Sequence, residues 1–193
     1  MTRIAIVFHS EAGHVARVAE AVAEGARGAG ATVDLVGAAD LHDAEAGPWD
    51  ALHAADAIVF GSPTYFGSVS GTFERFADQL SPVWLDGRWR DKAAAGFVCS
   101  ASLAGDKWGP LTRMWTLAMQ LGMVWVGLGL LPGDPRHPDD DPENLNRLGV
   151  WAGAGVQAGD DADPDEEPGP GDLATARHLG RRVAEMAGRL AAG

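Results

Sequence analysis

Residues 4–27 read IAIVF-HSEAG-HVARVAEAVAEGAR: five apolar residues, a short polar loop, then apolar positions at helical spacing. Ile4–Phe8 is short and aliphatic and is ended by polar residues, so it reads as a buried strand. From about Gly13 to Arg27, the residues Val15, Val18, Ala19, Val22 and Ala26 fall on one face at 3.6-residue spacing, which predicts an amphipathic helix. Gly28 and Gly30 end it. A strand that runs through a tight loop into a helix is the opening of a β-α-β unit.

Outward from this unit the same alternation repeats. Strands are expected at Thr32–Val36, at Asp56–Gly61 running into the Pro63 turn, at Ala93–Ser100 and at Met123–Leu128. The fourth is small and apolar enough to be covered on both faces. Helices are expected from about Val69 to Leu80, with Val69, Phe73, Phe76 and Leu80 inward, and over Leu111–Leu121. A last helix is expected from about Asp172 to Leu190, with Ala176, Val183, Met186 and Leu190 on one side. Five strands alternating with helices imply an α/β fold with a parallel sheet covered by helices on both faces. The stretches Gly133–Glu143 and Gly159–Gly171 are rich in acidic residues, proline and glycine, and read as mobile, solvated loops.

The bulk properties bound the function. A chain of 193 residues with 46% hydrophobic and 22% charged residues fits one globular domain, residues 1–193. A net charge of −12 disfavours nucleic acid and anionic membrane surfaces as partners, since both need a basic face. The single cysteine, Cys99, cannot close an intramolecular disulfide and lies in an apolar run, so a buried thiol in a reducing compartment is expected. The N-terminal apolar run is too short for a secretion signal, and no segment has the roughly 20 apolar residues of a membrane span. The expected location is cytoplasmic. His9 and His14 fall short of the three or more ligands of a metal centre, and His137 near Asp139, Asp140 and Asp141 reads as a solvated loop, so no metal site is expected.

Function in a doubly wound sheet is sought beyond the carboxyl ends of the strands. Three loops there carry unusual residues. His9-Ser10-Glu11-Ala12-Gly13-His14-Val15 leads into a helix N-terminus, whose unpaired N–H groups can cradle a phosphate, with Ser10 as a further donor. The same loop also reads as a plain turn with Ser10 as helix cap. Neither a Gly-Lys-Ser/Thr phosphate loop nor a Gly-x-Gly-x-x-Gly fingerprint is present, which disfavours the standard ATP, GTP and dinucleotide modes. Gly61-Ser62-Pro63-Thr64-Tyr65-Phe66-Gly67 is a stiff turn that could present N–H groups to the edge of a flat ring, or simply a rigid loop plugged by an aromatic. Ser100-Ala101-Ser102-Leu103-Ala104-Gly105-Asp106-Lys107 could pass along the ring's other edge. No Gly-x-Ser-x-Gly surrounds its serines, and no catalytic dyad is apparent.

These loops, in this order, resemble those of the flavodoxin-like flavoproteins, closest to the WrbA-type NAD(P)H:quinone oxidoreductases. Matching segments include His9–Val15, Gly61–Val69 through Gln79, Ser100–Lys107, Met119–Met123 with Val126-Gly127, Asn146–Gly149 and Ala174–Ala184. The resemblance implies a three-layer sandwich with a five-stranded parallel sheet of order 2-1-3-4-5, and FMN as bound cofactor. By it, Ser10, Glu11, Ala12, Gly13, His14 and Val15 would hold the phosphate. Pro63, Thr64, Tyr65, Phe66 and Gly67 would line the isoalloxazine, and Ser100, Ala101, Ser102, Gly105 and Asp106 its other edge. The implied reaction passes electrons from NAD(P)H to a quinone or similar flat acceptor, in a homodimer or homotetramer with sites near subunit contacts. An FMN-binding electron carrier without turnover of its own is the other class open to the sequence. Trp84 is placed beside the flavin by the resemblance, and Trp108 and Trp151 are candidates for its border. Trp49, Trp89, Trp115 and Trp125 read as core or interface packing. Three departures stand out: Glu11 inside the phosphate loop, Leu121 where relatives commonly have a histidine near the flavin, and the acidic run Asp160–Glu167.

Overall fold

The computed structural model describes residues 1–138 and 141–192. Asp139 and Asp140, expected in the loop around His137, lie outside the described residues. Strands β1 (Arg3–Phe8), β2 (Thr32–Gly37), β3 (Ala57–Pro63), β4 (Ala93–Ser100), β5 (Val124–Trp125) and β6 (Ala154–Gln157) form one sheet. Every pairing is parallel and the order is β2-β1-β3-β4-β5, with β6 also on β4. Helices are α1 (His14–Gly28), α2 (Trp49–Ala54), α3 (Gly71–Asp78), α4 (Ser81–Asp86), α5 (Trp108–Gln120) and α6 (Pro170–Ala191).

Alternation along the strands splits the core into two layers. Ile4 and Ile6 of β1 pack into the layer shared with Val18, Val22, Leu179 and Val183 of α1 and α6. Ala5 and Val7, pointing the other way, join Phe60, Phe73, Phe76, Trp89 and Leu111. The two helices α1 and α6 approach closely because glycine stands at each contact. A Cβ on Gly25 would come within 1.8 Å of the Arg177 carbonyl oxygen, and one on Gly180 within 1.9 Å of the Val22 oxygen.

The fifth lane departs from the expected strand at Met123–Leu128. Only Val124–Trp125 pairs with Ala93 and Ala94, while β6 fills the rest of the lane against Phe97–Ser100. Gly127, Gly129 (φ 68°) and Pro132 turn the chain away, and it returns only at residue 154. The exposed edge is satisfied on the way: Leu128 N–H bonds the Trp151 carbonyl, and Arg182 Nε–H bonds that of Gly127.

Other helices differ from expectation at their ends. α3 starts after Ser70, whose hydroxyl accepts from Phe73 N–H, so Val69 and Leu80 are buried but flank the helix. Pro82, in the first turn of the unforeseen α4, supports a fresh start there. α2 was also not expected. In α6, Ala176 and Val183 are buried as expected, but Leu190 is 42% exposed, because Ala187 takes the inward position of the last turns. Trp115, expected in core or interface packing, is exposed on α5 and so does not belong to the core. Among the described residues no helix is long and apolar enough to cross a membrane.

The fully buried Trp89 donates its indole N–H to His53 Nδ1 at 3.2 Å, an acceptor that exists only while the ring is neutral. Burial, then Arg88 and Lys92, lowers the His53 pKa below its ordinary 6.5; Asp50 and Asp86 oppose this. As pH falls through about 6.5 the unfolded chain takes up the proton first, so this contribution to stability is full above that value and lost below it. Thermal melting at pH 7.5 and pH 5.0 is expected to show a smaller loss of stability for His53→Gln, whose amide oxygen accepts the indole N–H at either pH. An equal loss in both proteins would refute this.

Candidate functional site

A cavity of about 560 Å³ opens at the carboxyl ends of β1, β3 and β4. Its walls are the three loops singled out from sequence. Ser10, Glu11, Ala12, His14 and Val15 line it from the first, Pro63, Thr64, Tyr65, Phe66 and Gly67 from the second. Ser100, Ala101, Ser102, Gly105 and Asp106 line it from the third. Gly13 stands just behind the wall as the N-cap of α1, with φ 94°. Cys99 and Ala158 also line the cavity and were not expected there, and Asp160 of the acidic run lines it as well.

Each loop is held by its own chemistry. α1 begins at His14, so the first N–H groups of the helix have no partner within it and point out of its positive end. Ser10 Oγ, Thr64 Oγ1 and His9 Nδ1 are buried without a hydrogen-bond partner, which is unusual for interior polar atoms. In the second loop, Tyr65 and Ser68 exchange both backbone bonds at 3.0 Å around Phe66 (φ 50°) and Gly67 (φ 74°), a tight reversal that needs the left-handed region twice. Thr64 N–H bonds the Cys99 carbonyl at 2.8 Å, anchoring this loop to β4. Tyr65 does not plug the site: it is 43% exposed, and its hydroxyl donates to Glu11 Oε2 at 3.1 Å. Burial first, then the Glu11 carboxylate, raises the Tyr65 pKa above 10.0.

The third loop is built on Lys107, a residue whose role sequence reasoning missed. Lys107 is 2% exposed, and its Nζ donates to Ser100 Oγ (2.6 Å) and to the carbonyls of Ser102 (2.7 Å) and Leu103 (3.0 Å). Burial lowers its pKa. Gly105 is required beside it, since a Cβ there would lie 2.0 Å from Ser100 Oγ. Gln157 Nε2 donates to the Ala101 carbonyl at 3.0 Å, and a buried Arg147–Asp172 pair at 2.8 Å braces the neighbouring segment against α6. Cys99 is buried as expected, and burial pushes its thiol up to about 12, which leaves it unreactive although it lines the floor.

The acidic stretch is solvated as expected, with Asp160, Asp161, Asp163, Asp165 and Glu166 exposed, and its backbone is tied to α1. His14 Nε2 lies 2.9 Å from the Ala162 carbonyl, Arg17 donates to that of Pro164, and Gly159 N–H bonds Glu167 Oε2 at 2.6 Å. The absence of a Cβ at Gly13 admits Pro164, which would otherwise meet it at 3.0 Å. Leu121 and Trp84 lie elsewhere, on a separate cavity of about 190 Å³ with Leu80 and Leu117. The reason is topological: α5 starts at the site and runs back along the sheet, so its far end stands about 20 Å away at 1.5 Å per residue. Trp108 and Trp151 are exposed and do not line the site cavity.

The profile of the family described as NADPH-dependent FMN reductase matches residues 3–131. A flavodoxin, FldP of Pseudomonas aeruginosa, is 45% identical over 134 residues, covering 69% of this chain and 70% of its own. An NAD(P)H dehydrogenase (quinone) of Methylocella silvestris is 33% identical across 98% of this chain and 99% of its own. Among solved structures, a flavodoxin, WrbA-like protein from Agrobacterium tumefaciens superposes with a TM-score of 0.73 at 37% identity, covering 98% and 99% of the two chains.

Proposed function

The chain belongs to the NADPH-dependent FMN reductase family, among its flavodoxin-like, WrbA-type members, and on that premise we propose that its three-loop cavity holds FMN while electrons pass from NAD(P)H to a quinone or similar flat acceptor. The observation that carries the reading is the pair of buried, unpartnered hydroxyls, Ser10 Oγ and Thr64 Oγ1, on the wall of a cavity next to a helix N-terminus. Such atoms fit a ligand that carries both a phosphate and ring heteroatoms. Ser10 to Val15 hold the phosphate in this reading, Pro63 to Gly67 face one side of the ring system, and Ser100 to Asp106 its other edge. FMN supplies the two-electron chemistry, with the balance NAD(P)H + H⁺ + quinone → NAD(P)⁺ + hydroquinone.

What the chain contributes is position and shape. No side chain has to act as acid or base, which agrees with the inert Cys99 and the fully engaged Lys107. Residues 1–193 act as one domain in this reading. The exposed Trp84, Leu85, Trp115 and Met119 on α4 and α5 support association into a homodimer or homotetramer. Protein saturated with FMN is expected to oxidise NADH or NADPH in the presence of menadione, and to lose that activity when the flavin is removed. No oxidation with either donor across neutral quinones would overturn the reaction. The likeness to a flavodoxin favours a second reading, an electron carrier; such a protein would take electrons from a separate reductase but not from NAD(P)H directly.

A further inference from the structure

Lys107 is a buried cation in a place that does not favour one. It stands at the N-cap of α5, the positive end of that helix, with 2% of its surface exposed. Its Nζ donates three hydrogen bonds, which only the charged ammonium can do, and all three go to neutral oxygens. Among the described residues no ion pair includes it. The acid behind it, Asp172, gives both carboxylate oxygens to Arg147, at 2.8 and 2.9 Å. The neighbouring Cys99 thiol, pushed up to about 12, stays neutral. Lys107, Asp172 and Arg147 therefore leave one positive charge behind the cavity wall. A neutral donor could tie down the third loop without the cost of desolvating an ion, so the charge itself calls for a role.

We propose that Lys107 is a positioning residue that raises the reduction potential of the bound flavin, by holding Ser100 against the ring edge and fixing a buried positive charge one hydrogen bond behind it. The proposal rests on the FMN reading and concerns the same site. Ser100 Oγ, on a residue of the cavity wall, lies 2.6 Å from Nζ. The oxidised ring system is neutral, and two electrons taken up with one proton leave one negative charge on it. A fixed cation beside the ring therefore favours the reduced form. Opposite unit charges about 6 Å apart, at an effective dielectric constant of about 20, shift such an equilibrium about 100-fold. Glu11, Asp106 and Asp160 act in the other direction, but they are exposed, and water and salt screen them far more than a buried ammonium.

The test reads the potential of FMN bound to the native protein, to Lys107→Gln and to Lys107→Arg against a reference dye, with the affinity for oxidised FMN measured beside it. Lys107→Gln keeps a donor and removes the charge. Its ratio of reduced to oxidised flavin at a fixed potential is expected to fall at least about ten-fold, or about 30 mV for a two-electron couple. The fall is expected at about 10 mM and about 200 mM salt alike, because the charge is buried. Lys107→Arg, which keeps the charge, is expected to stay near the native value. Equal falls in both variants, or weaker FMN binding with the potential unmoved, would leave Lys107 a strut and overturn the proposal. The native protein alone gives a second measurement that does not depend on the variants folding. At about pH 6, where the free reduced ring is mostly neutral, the bound flavin is expected to take up one proton per two electrons, and two protons would overturn the proposal. Native protein that takes up no FMN would instead overturn the underlying reading.

Discussion

Ser10→Ala combined with Thr64→Val is expected to stabilise the FMN-free protein while weakening FMN binding about 100-fold. Both hydroxyls are buried without a partner on the cavity wall. An unsatisfied buried polar atom costs about 1–3 kcal/mol, so removing each should raise stability by about 1 kcal/mol. When a phosphate or ring heteroatom is present, the same hydroxyls become useful, and hydrogen bonds to charged groups contribute about 1.5–3 kcal/mol. Losing about 1.4 kcal/mol per site is ten-fold in affinity each. Opposite signs in the two measurements, melting temperature without FMN and dissociation constant with it, separate a binding role from ordinary packing. Melting that rises while affinity stays constant would remove Ser10 and Thr64 from the cofactor site.

The second large effect concerns the fold that carries the site. Gly180→Ala is expected to cost at least about 3 kcal/mol, a large share of the 5–15 kcal/mol that a domain of this kind has. The added Cβ would sit 1.9 Å from the Val22 carbonyl oxygen, backbone against backbone, so α1 and α6 must separate. That movement would also pull α1 away from the β1 loop it anchors. Gly188→Ala in the same helix is the control. Its Cβ meets only Thr2 Oγ1, at 3.5 Å, and the helix propensity of alanine should gain about 0.5–1 kcal/mol. Chemical denaturation of both variants reads the difference. Equal stability of the two would contradict the close α1–α6 contact.

The unit from Ile4 to Arg27 was legible because strand and helix periodicities change over within a five-residue loop, and the same logic located β2, β3 and β4 and the three loops that the structure gathers around one cavity. The split fifth lane was not legible. Met123–Leu128 has a strand's composition, but whether an edge lane is filled by one segment or two depends on Gly127, Gly129 and a partner supplied about 30 residues later. Lys107 looked like the polar end of a loop, since nothing in its neighbours says that three acceptors will close around it. A Gly-Asp-Lys run at the mouth of a helix, with Gly105 and Asp106 both at positive φ, is the one local signal that could have pointed there. Within one chain Leu121 and Trp84 stand away from the cavity, because the distance along α5 decides which end of the sheet they reach, and that distance is not spelled out by a resemblance along the sequence. The acidic loop is solvated as its composition suggests, but the contacts from His14 and Arg17 that tie its backbone down come from far away in sequence and were not legible.

Titration of the purified protein with FMN, followed by quenching of flavin fluorescence, shows whether the three-loop cavity is an FMN site. Saturable quenching at one FMN per chain is expected, with affinity lost in Ser10→Ala/Thr64→Val. Fluorescence that stays unquenched up to high micromolar FMN would contradict it.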